Sequence, residues 1–264
     1  KHVNSNLSAE TLSDHYKEIM SDSESLTSEQ QTIANQVASW YTQGKEAAGL
    51  VNVTPETVSR LIGSLKNNCA PGLDGISAEH LKYGKTTILC EHLAALYSTV
   101  LTWGVVPESF LTGVIIPVLK KPSADPNSPS NYRPITLSST LAKLIEYIMM
   151  PEDSVSKEQF GFRAGTGATS ACCLPIDVTR CFNEAGSPVY VCGLDAEKCF
   201  DRLWHEALLY KMYDKLPVSY WLTLHYWYHN LKAIVKWKGL YSHSFTVTRG
   251  TRQGSVLSPS IFNI

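Results

Sequence analysis

One short stretch of the sequence places a carboxylate where it could do chemistry. Asp195 directly follows residues 189–194, an apolar run after Gly186 and Pro188 that predicts a central strand. A carboxylate at the end of such a strand can leave the core. Two-metal phosphoryl transfer requires carboxylates on rigid elements, because the metals lie roughly 3.5–4 Å apart. Asp195 could instead cap a following helix, and the residues alone leave both interpretations open.

A second stretch, residues 248–259, combines two glycines, two arginines and Gln253 beside a helix start at Ser258 and Pro259. Glycines let a backbone approach closely, and a helix N-terminus favours anions. This pattern would suit contact with a phosphate or a base pair. The alternative is an ordinary loop after a hairpin, with arginines on the surface.

A third stretch places Lys120 and Arg133 on either side of a polar, proline-rich loop. A lysine point charge and a bidentate arginine suit a triphosphate, and a loop between them could close as a flap. The alternative is a solvated loop with ordinary surface charge.

Helices and strands must position these residues. Thr54 and Pro55 indicate a helix start, as a cap and a first helical residue. Further helix starts are predicted near Ser77 and at Ser138 or Ser139, the latter helix running through Met149. Other predicted segments are strands at 114–119, 233–238 and 244–249, helices at 201–213 and 219–231, and a last helix from Ser258. Strands mixed with helices indicate an α/β or α+β fold.

Composition bounds the possible functions. The chain has 264 residues, of which 44% are hydrophobic, and a net charge of −1. Residues 1–60 carry four Lys/Arg and eight Asp/Glu, a net of −4, so the remainder has a net of +3. A nucleic-acid enzyme would need that mild excess concentrated in one groove. Seven cysteines without a Cys-x-x-Cys pair indicate a reducing, intracellular setting. We expect no membrane partner, because no apolar run approaches the roughly 18 residues of a span.

Some other signals have structural explanations that we prefer. His225 and His229 have a zinc-compatible spacing, but no third ligand is near them in the sequence. The aromatic residues around Trp221 are typical of a packed helix. Glu197 and Asp201 follow Asp195 closely, and a strand-to-helix turn is expected to point them elsewhere.

Taken in their order along the chain, the three stretches resemble the reverse transcriptase domain of non-LTR (LINE-type) retrotransposons. Ala-Pro-Gly-Leu-Asp-Gly at 70–75 precedes them, and Gln-Phe-Gly-Phe-Arg at 159–163 lies between them. The resemblance covers roughly residues 55–264. It implies a right-hand polymerase fold with a helical lead-in or linker at 1–54, fingers at 55–188 and a partial palm at 189–264, without a thumb.

The resemblance also implies a role for individual residues. Asp195 would be the catalytic, metal-binding carboxylate, and the carbonyl of Ala196 would reach the second metal. Phe200 would stack under the deoxyribose and exclude a 2′-hydroxyl. The other implied contacts are Lys120, Arg133 and Gln253 with the deoxynucleoside triphosphate, and Arg163, Arg252 and Gly254 with template or primer.

The implied activity is RNA-directed DNA synthesis with Mg²⁺, or alternatively Mn²⁺, on an RNA template with a DNA primer. A nuclear or cytoplasmic ribonucleoprotein is the expected location. The family completes its site with an aromatic-Ala-Asp-Asp hairpin, whereas this sequence has no two consecutive aspartates. Because the chain also starts at Lys1 and stops within an apolar pattern, we expect a fragment that cannot polymerise alone. The alternatives are a non-catalytic nucleic-acid-binding remnant of a decayed element, and a related polymerase such as an intron-encoded maturase or telomerase.

Overall fold

A computed structural model describes residues 5–21, 25–150, 159–161, 165–196 and 198–262. The helices are α1 (Ala9–Ile19), α2 (Ser28–Ala47), α3 (Pro55–Ser64), α4 (Ala78–Tyr83), α5 (Thr87–Trp103), α6 (Glu108–Leu111), α7 (Thr140–Met149), α8 (Ala168–Glu184), α9 (His205–Met212), α10 (Val218–His229) and α11 (Leu257–Phe262). The strands are β1 (Thr112–Leu119), β2 (Tyr132–Leu137), β3 (Lys232–Trp237), β4 (Leu240–Tyr241) and β5 (Phe245–Thr246). The fold is therefore mixed α/β. None of the described helices is both long and apolar enough to cross a membrane.

The predicted helix starts at Thr54, Ser77 and Ser139 are confirmed. Each of these side chains accepts a hydrogen bond from a backbone N–H in the first turn of its helix. Such caps satisfy donors that have no partner within the helix, and each is worth about 1 kcal/mol. Polar cap residues thus fix where α3, α4 and α7 begin.

The strands form one mixed sheet in the order β2-β1-β3-β4, and β5 also pairs with β3. β1 and β2 are antiparallel, whereas β1 and β3 are parallel, with Val114 opposite Ile234. The predicted pair at 233–238 and 244–249 is confirmed as β3 and β5. The proline-rich loop ends earlier than predicted, because Arg133 already lies in β2 opposite Val118. The sheet joins strands on both sides of the predicted fingers–palm boundary at 189, and that boundary stays a prediction.

The larger apolar core lies between helices, and α10 contributes its centre. Trp221 is fully buried, and its indole N–H donates to the Leu209 carbonyl at 2.8 Å. Its amphipathic ring therefore packs without leaving a donor unpaired. This placement agrees with the expected packed helix.

A second core lies between α1 and the sheet. Leu12 and Tyr16 of α1 are buried against Ile115, Val235 and Phe245. Helix α1, which lies within the predicted lead-in at 1–54, therefore packs against the sheet. Leu12 and Tyr16 stand four residues apart, which is a helical spacing, but this local pattern does not show which surface will cover them.

The predicted central strand at 189–194 is not formed. Residues 187–196 belong to no helix or strand, and Tyr190 and Leu194 are 92% and 97% exposed. An apolar run becomes a strand only when neighbouring strands pair with its backbone, and no described residue does so here. The predicted helix at 201–213 is shorter than expected and begins at His205, because residues 198–202 form turns.

Candidate active site

One cavity of about 680 Å³ opens between α1, the β1–β2 hairpin and the loops that follow Asp195 and Arg249. It brings together the three sequence stretches that were predicted to do chemistry. The predicted site residues that line it are Lys120, Arg133, Asp195, Ala196, Phe200, Arg252, Gln253 and Gly254. Arg163 lies outside the described residues.

Cationic side chains mark one part of the cavity. The backbone N–H of Lys120 donates to the Asn131 carbonyl at 2.8 Å, and its ammonium donates to the Ser130 carbonyl at 2.6 Å. Arg133 is exposed on β2, and Lys198 also lines the cavity. Together these charges favour an anionic ligand.

Burial and the positive charges lower the pKa of a nearby histidine, His15. Burial lowers the pKa of His15, and the positive charges of Lys198 and Lys120 lower it further, while Glu18 raises it in part. His15 is thus favoured in its neutral form. The direction of the lysine effects agrees with a concentration of positive charge at this wall.

The floor of the cavity is formed by two segments that run side by side. Thr251 N–H donates to the Phe200 carbonyl and Gly250 N–H to the Leu203 carbonyl, both at 2.7 Å, and His205 Nε2 lies 2.8 Å from the Gly250 carbonyl. Gly250 has a φ of +87°, and a Cβ there would lie 2.6 Å from the Asp201 carbonyl oxygen. Glycine is therefore required for this close approach, which fixes the backbone of Phe200.

The loop with Gln253 and Gly254 is also attached to the strand that carries Arg133. Thr136 N–H donates to the Gln253 carbonyl at 2.7 Å. Gly254 has a φ of +118°, and a Cβ there would lie 2.8 Å from the Thr136 carbonyl oxygen. Gly250 and Gly254 thus hold this loop between the floor and β2.

Asp201 points into the site, contrary to the sequence-based expectation. Asp201 is 7% exposed, and its carboxylate accepts a hydrogen bond from Gln253 Nε2 at 2.7 Å. Burial raises the pKa of Asp201, while the bond from Gln253 and the charges of Lys198 and Lys120 oppose that rise. No local pattern in the sequence predicts this pair, because the partners are 52 positions apart.

Asp195 and Ala196 line the cavity from an exposed segment that belongs to no helix or strand. Within the described part of the chain, no three His, Cys, Asp or Glu side chains form a metal-binding cluster. A carboxylate and a backbone carbonyl are nevertheless donors of the kind that Mg²⁺ takes, and Mg²⁺ is usually held by one or two carboxylates together with substrate phosphates. These two residues fit a metal that is completed by a triphosphate.

The side chain of Arg252 is held by contacts with the protein interior. Its guanidinium donates to the backbone carbonyls of Phe110, at 2.9 Å, and Leu111. Burial lowers its pKa, and the nearby carboxylate of Glu146 opposes that effect. Arg252 also borders the cavity, and its contact with template or primer stays a prediction.

Glu146 was not found from the sequence. It is 3% exposed, and its carboxylate accepts hydrogen bonds from Val256 N–H at 2.6 Å and Leu257 N–H at 3.3 Å, at the start of α11. Burial raises its pKa, and the positive charge of Arg252 counteracts this. A lone acidic residue within the apolar helix α7 was the available signal.

His225 and His229 belong to an aromatic stack away from the cavity. The His225 ring lies 4.0 Å, centroid to centroid, from both Tyr41 and His229. His229 Nε2 is 2.9 Å from a Glu206 carboxylate oxygen. Burial lowers the pKa of His225 to about 3, and the charges of His229 and Lys45 act in the same direction. The interpretation as packed histidines is therefore the one that their contacts support.

More than half of the chain matches a known protein family. Residues 119–264 match the family described as "Reverse transcriptase (RNA-dependent DNA polymerase)". The match covers more than half of the 264 residues. The chain therefore belongs to the reverse transcriptase family, whose members are nucleotidyltransferases.

Individual relatives show which kind of reverse transcriptase the chain resembles. The RNA-directed DNA polymerase from mobile element jockey of Drosophila funebris is 29% identical over 220 residues, which cover 80% of this chain and 24% of that protein. The probable RNA-directed DNA polymerase from transposon X-element of Drosophila melanogaster is 28% identical, covering 79% and 24%. The retrotransposable element SLACS 132 kDa protein of Trypanosoma brucei gambiense is 29% identical, covering 83% and 18%. The chain spans about a quarter or less of these relatives, and the predicted resemblance to non-LTR retrotransposon reverse transcriptases is confirmed.

Proposed function

We propose that this chain forms the nucleotide-binding side of an RNA-directed DNA polymerase of a non-LTR retrotransposon, with fingers and the front of the palm. The observation that supports this most strongly is that Lys120, Arg133, Phe200 and Gln253 border one cavity although up to 133 positions separate them. Incoming deoxynucleoside triphosphate is the proposed substrate, and an RNA template with a DNA primer is the proposed partner.

The residues divide the work of binding. Lys120 and Arg133 hold the triphosphate, the first as a point charge and the second through paired hydrogen bonds. Phe200, whose backbone is fixed by Thr251, stacks under the sugar and leaves no room for a 2′-hydroxyl. The hydrogen bond from Gln253 to Asp201 orients the Gln253 side chain toward the nascent base pair.

Asp195 and the Ala196 carbonyl would hold Mg²⁺ beside the triphosphate. When bound, the metal neutralises phosphate charge and activates the attacking primer oxygen. Gly254 would let the template backbone approach, and Arg163 would follow the template, as the family resemblance implies. The 264-residue chain lacks two consecutive aspartates. We therefore propose that it binds nucleotide but does not extend a primer by itself.

The proposal is tested by equilibrium binding of dATP, with Mg²⁺, to the chain on an RNA template and a chain-terminated DNA primer. Lys120→Ala and Arg133→Ala should each weaken binding about 10-fold or more, because hydrogen bonds to charged groups are lost. Lys121→Ala is the matched control, since Lys121 is exposed beside Lys120 but does not line the cavity.

Three results are possible. Selective loss in Lys120→Ala and Arg133→Ala supports the nucleotide site. Equal weakening by all three substitutions would indicate a general charge effect and would contradict it. Binding of primer and template without measurable dATP binding would favour the alternative, a non-catalytic nucleic-acid-binding remnant.

A further inference from the structure

Helix α1 forms one wall of the cavity. His15, Tyr16, Ile19 and Met20 line it together with Lys120 and Phe200. The matched family region begins at residue 119, so the family comparison assigns no role to this helix.

Hydrogen bonds hold α1 against the floor of the cavity. The carbonyl of Met20 accepts from both Thr248 N–H and Arg249 N–H, each at 2.9 Å. Those two residues lead directly into the loop with Gly250 and Gln253. At the other end of the helix, Trp237 Nε1 donates to the Leu7 carbonyl at 3.0 Å. The position of α1 relative to the cavity is therefore set at both ends.

The hydroxyl of Tyr16 is unusual among the buried groups of this wall. Tyr16 is 1% exposed, and its hydroxyl has no hydrogen-bond partner among the described residues. Buried hydroxyls in folded proteins are nearly always paired, and leaving one unpaired is costly. Tyr16 is one of the residues that line the cavity, so an unpaired donor on its side chain points to a ligand atom as its partner.

The surroundings of Tyr16 determine what it would do. Burial raises the pKa of the Tyr16 phenol, and the negative charge of Asp201 and the nearby Tyr132 act in the same direction. The phenol therefore keeps its proton at neutral pH and can donate a hydrogen bond. The sugar and phosphate oxygens of a nucleotide are acceptors.

We propose that Tyr16 is a further nucleotide-binding residue, whose hydroxyl donates a hydrogen bond to an oxygen of the deoxynucleoside triphosphate held by Lys120 and Arg133. This inference rests on the proposed function. It gives the helical lead-in a direct part in the site, and it extends the nucleotide-binding surface beyond the matched family region.

Tyr16→Phe removes only the hydroxyl and keeps the buried ring. In the binding measurement with dATP, primer and template, we expect this variant to bind about 3–10-fold more weakly, the loss typical of one uncharged hydrogen bond. Its Tm should stay unchanged or rise, because an unpaired polar atom has been removed from the interior.

Tyr97→Phe is the matched control. Tyr97 is also fully buried, but its hydroxyl donates to the Leu141 carbonyl at 3.0 Å, and it does not line the cavity. We expect this variant to have a lower Tm and an unchanged affinity for dATP. The two variants together separate a hydroxyl that serves a ligand from one that serves the fold.

The outcomes distinguish this inference from the function on which it rests. If Arg133→Ala weakens dATP binding and Tyr16→Phe does not, the inference about Tyr16 is overturned and the nucleotide site stands. If Arg133→Ala also leaves binding unchanged, the proposed function fails and the inference fails with it. A weaker affinity of Tyr16→Phe that is matched by a lowered Tm would assign the hydroxyl to the fold and overturn the inference.

Discussion

The loop at 249–254 and the segment at 165–196 both contribute to the candidate site, but they are held in different ways. The loop is bonded to Met20, Phe200, Leu203 and Thr136 through backbone atoms. In the segment, which contains α8 and ends at Asp195 and Ala196, none of the described side chains is buried. The loop on the proposed nucleotide-binding side is thus built into the fold, whereas the segment that carries Asp195, the proposed catalytic carboxylate, is exposed.

This difference shows what a polymerase site needs from its scaffold. Residues that grip a substrate must be fixed before it arrives, because ordering them on binding reduces affinity. A carboxylate that binds a catalytic metal must also be held rigidly. Four substitutions or conditions test whether the two regions differ as described, beginning with the largest expected effect.

The buried carboxylate beneath the loop should be the most sensitive point. Glu146→Ala removes the acceptor of the Val256 and Leu257 N–H groups at the start of α11, and it removes the negative charge near buried Arg252. We expect it to lower the free energy of unfolding by about 3–5 kcal/mol, because each buried donor left without a partner costs about 1–3 kcal/mol. Urea unfolding measures this. Glu184→Ala in exposed α8 should change stability by less than about 0.5 kcal/mol, and equal losses would contradict the comparison.

The glycine in the floor should be the next most sensitive. Gly250→Ala combines a left-handed backbone with a Cβ that would contact the Asp201 carbonyl, so we expect a loss of about 3 kcal/mol. Gly186→Ala has a similar φ of +79° but no atom within 4 Å. It should cost about 1 kcal/mol. Thermal unfolding of both variants separates the effect of backbone strain from that of the close contact. A loss of stability in Gly250→Ala that is smaller than expected would show that the floor can move.

Acid should weaken the packing of α2 on α10 through His225. Its pKa is about 3 in the folded chain against an ordinary 6.5, so the folded state binds fewer protons between these values and loses stability as the pH falls below 6.5. His229 acts in the opposite direction, because burial lowers its pKa but the bonds with Glu206 and the His225 carbonyl together raise it further. His225→Phe keeps the ring against Tyr41.

Unfolding at pH 7 and pH 5 measures this effect. We expect the stability difference between the two pH values to become smaller in His225→Phe than in the unsubstituted chain. An unchanged or larger difference would show that the acid sensitivity arises elsewhere.

Truncation of an apolar side chain in the exposed segment should have the smallest effect. Leu194→Ala should change the free energy of unfolding by less than about 0.5 kcal/mol, since Leu194 is almost fully exposed. Leu144→Ala in α7, at a fully buried position, should cost about 2–5 kcal/mol. Denaturant titrations would contradict the comparison if the two losses were similar.

Much of the fold could be predicted from local signals. Capping residues located α3, α4 and α7, and apolar periodicity located β1 and α10. The strand at 189–194 was predicted wrongly because an apolar run indicates burial but does not supply the neighbour that buries it. The contact of α1 with the sheet depends on long-range packing, which no local pattern encodes.

The same holds for the candidate site. The family resemblance of the motifs placed Lys120, Arg133, Asp195 and Phe200 in one predicted site. Glu146, Tyr16 and the inward direction of Arg252 depend on which partners meet in three dimensions. Sequence motifs thus indicated which residues would share the cavity, whereas the supporting contacts required the structure.

The central claim is that this cavity selects a deoxynucleoside triphosphate. The most direct test compares binding of dATP and ATP, with Mg²⁺, to the chain on an RNA template and a chain-terminated primer, before and after Phe200→Ala. We predict that the unsubstituted chain binds dATP more tightly, and that Phe200→Ala brings the two affinities together by admitting the 2′-hydroxyl. Equal binding of dATP and ATP by the unsubstituted chain, or a preference that survives Phe200→Ala, would contradict the claim.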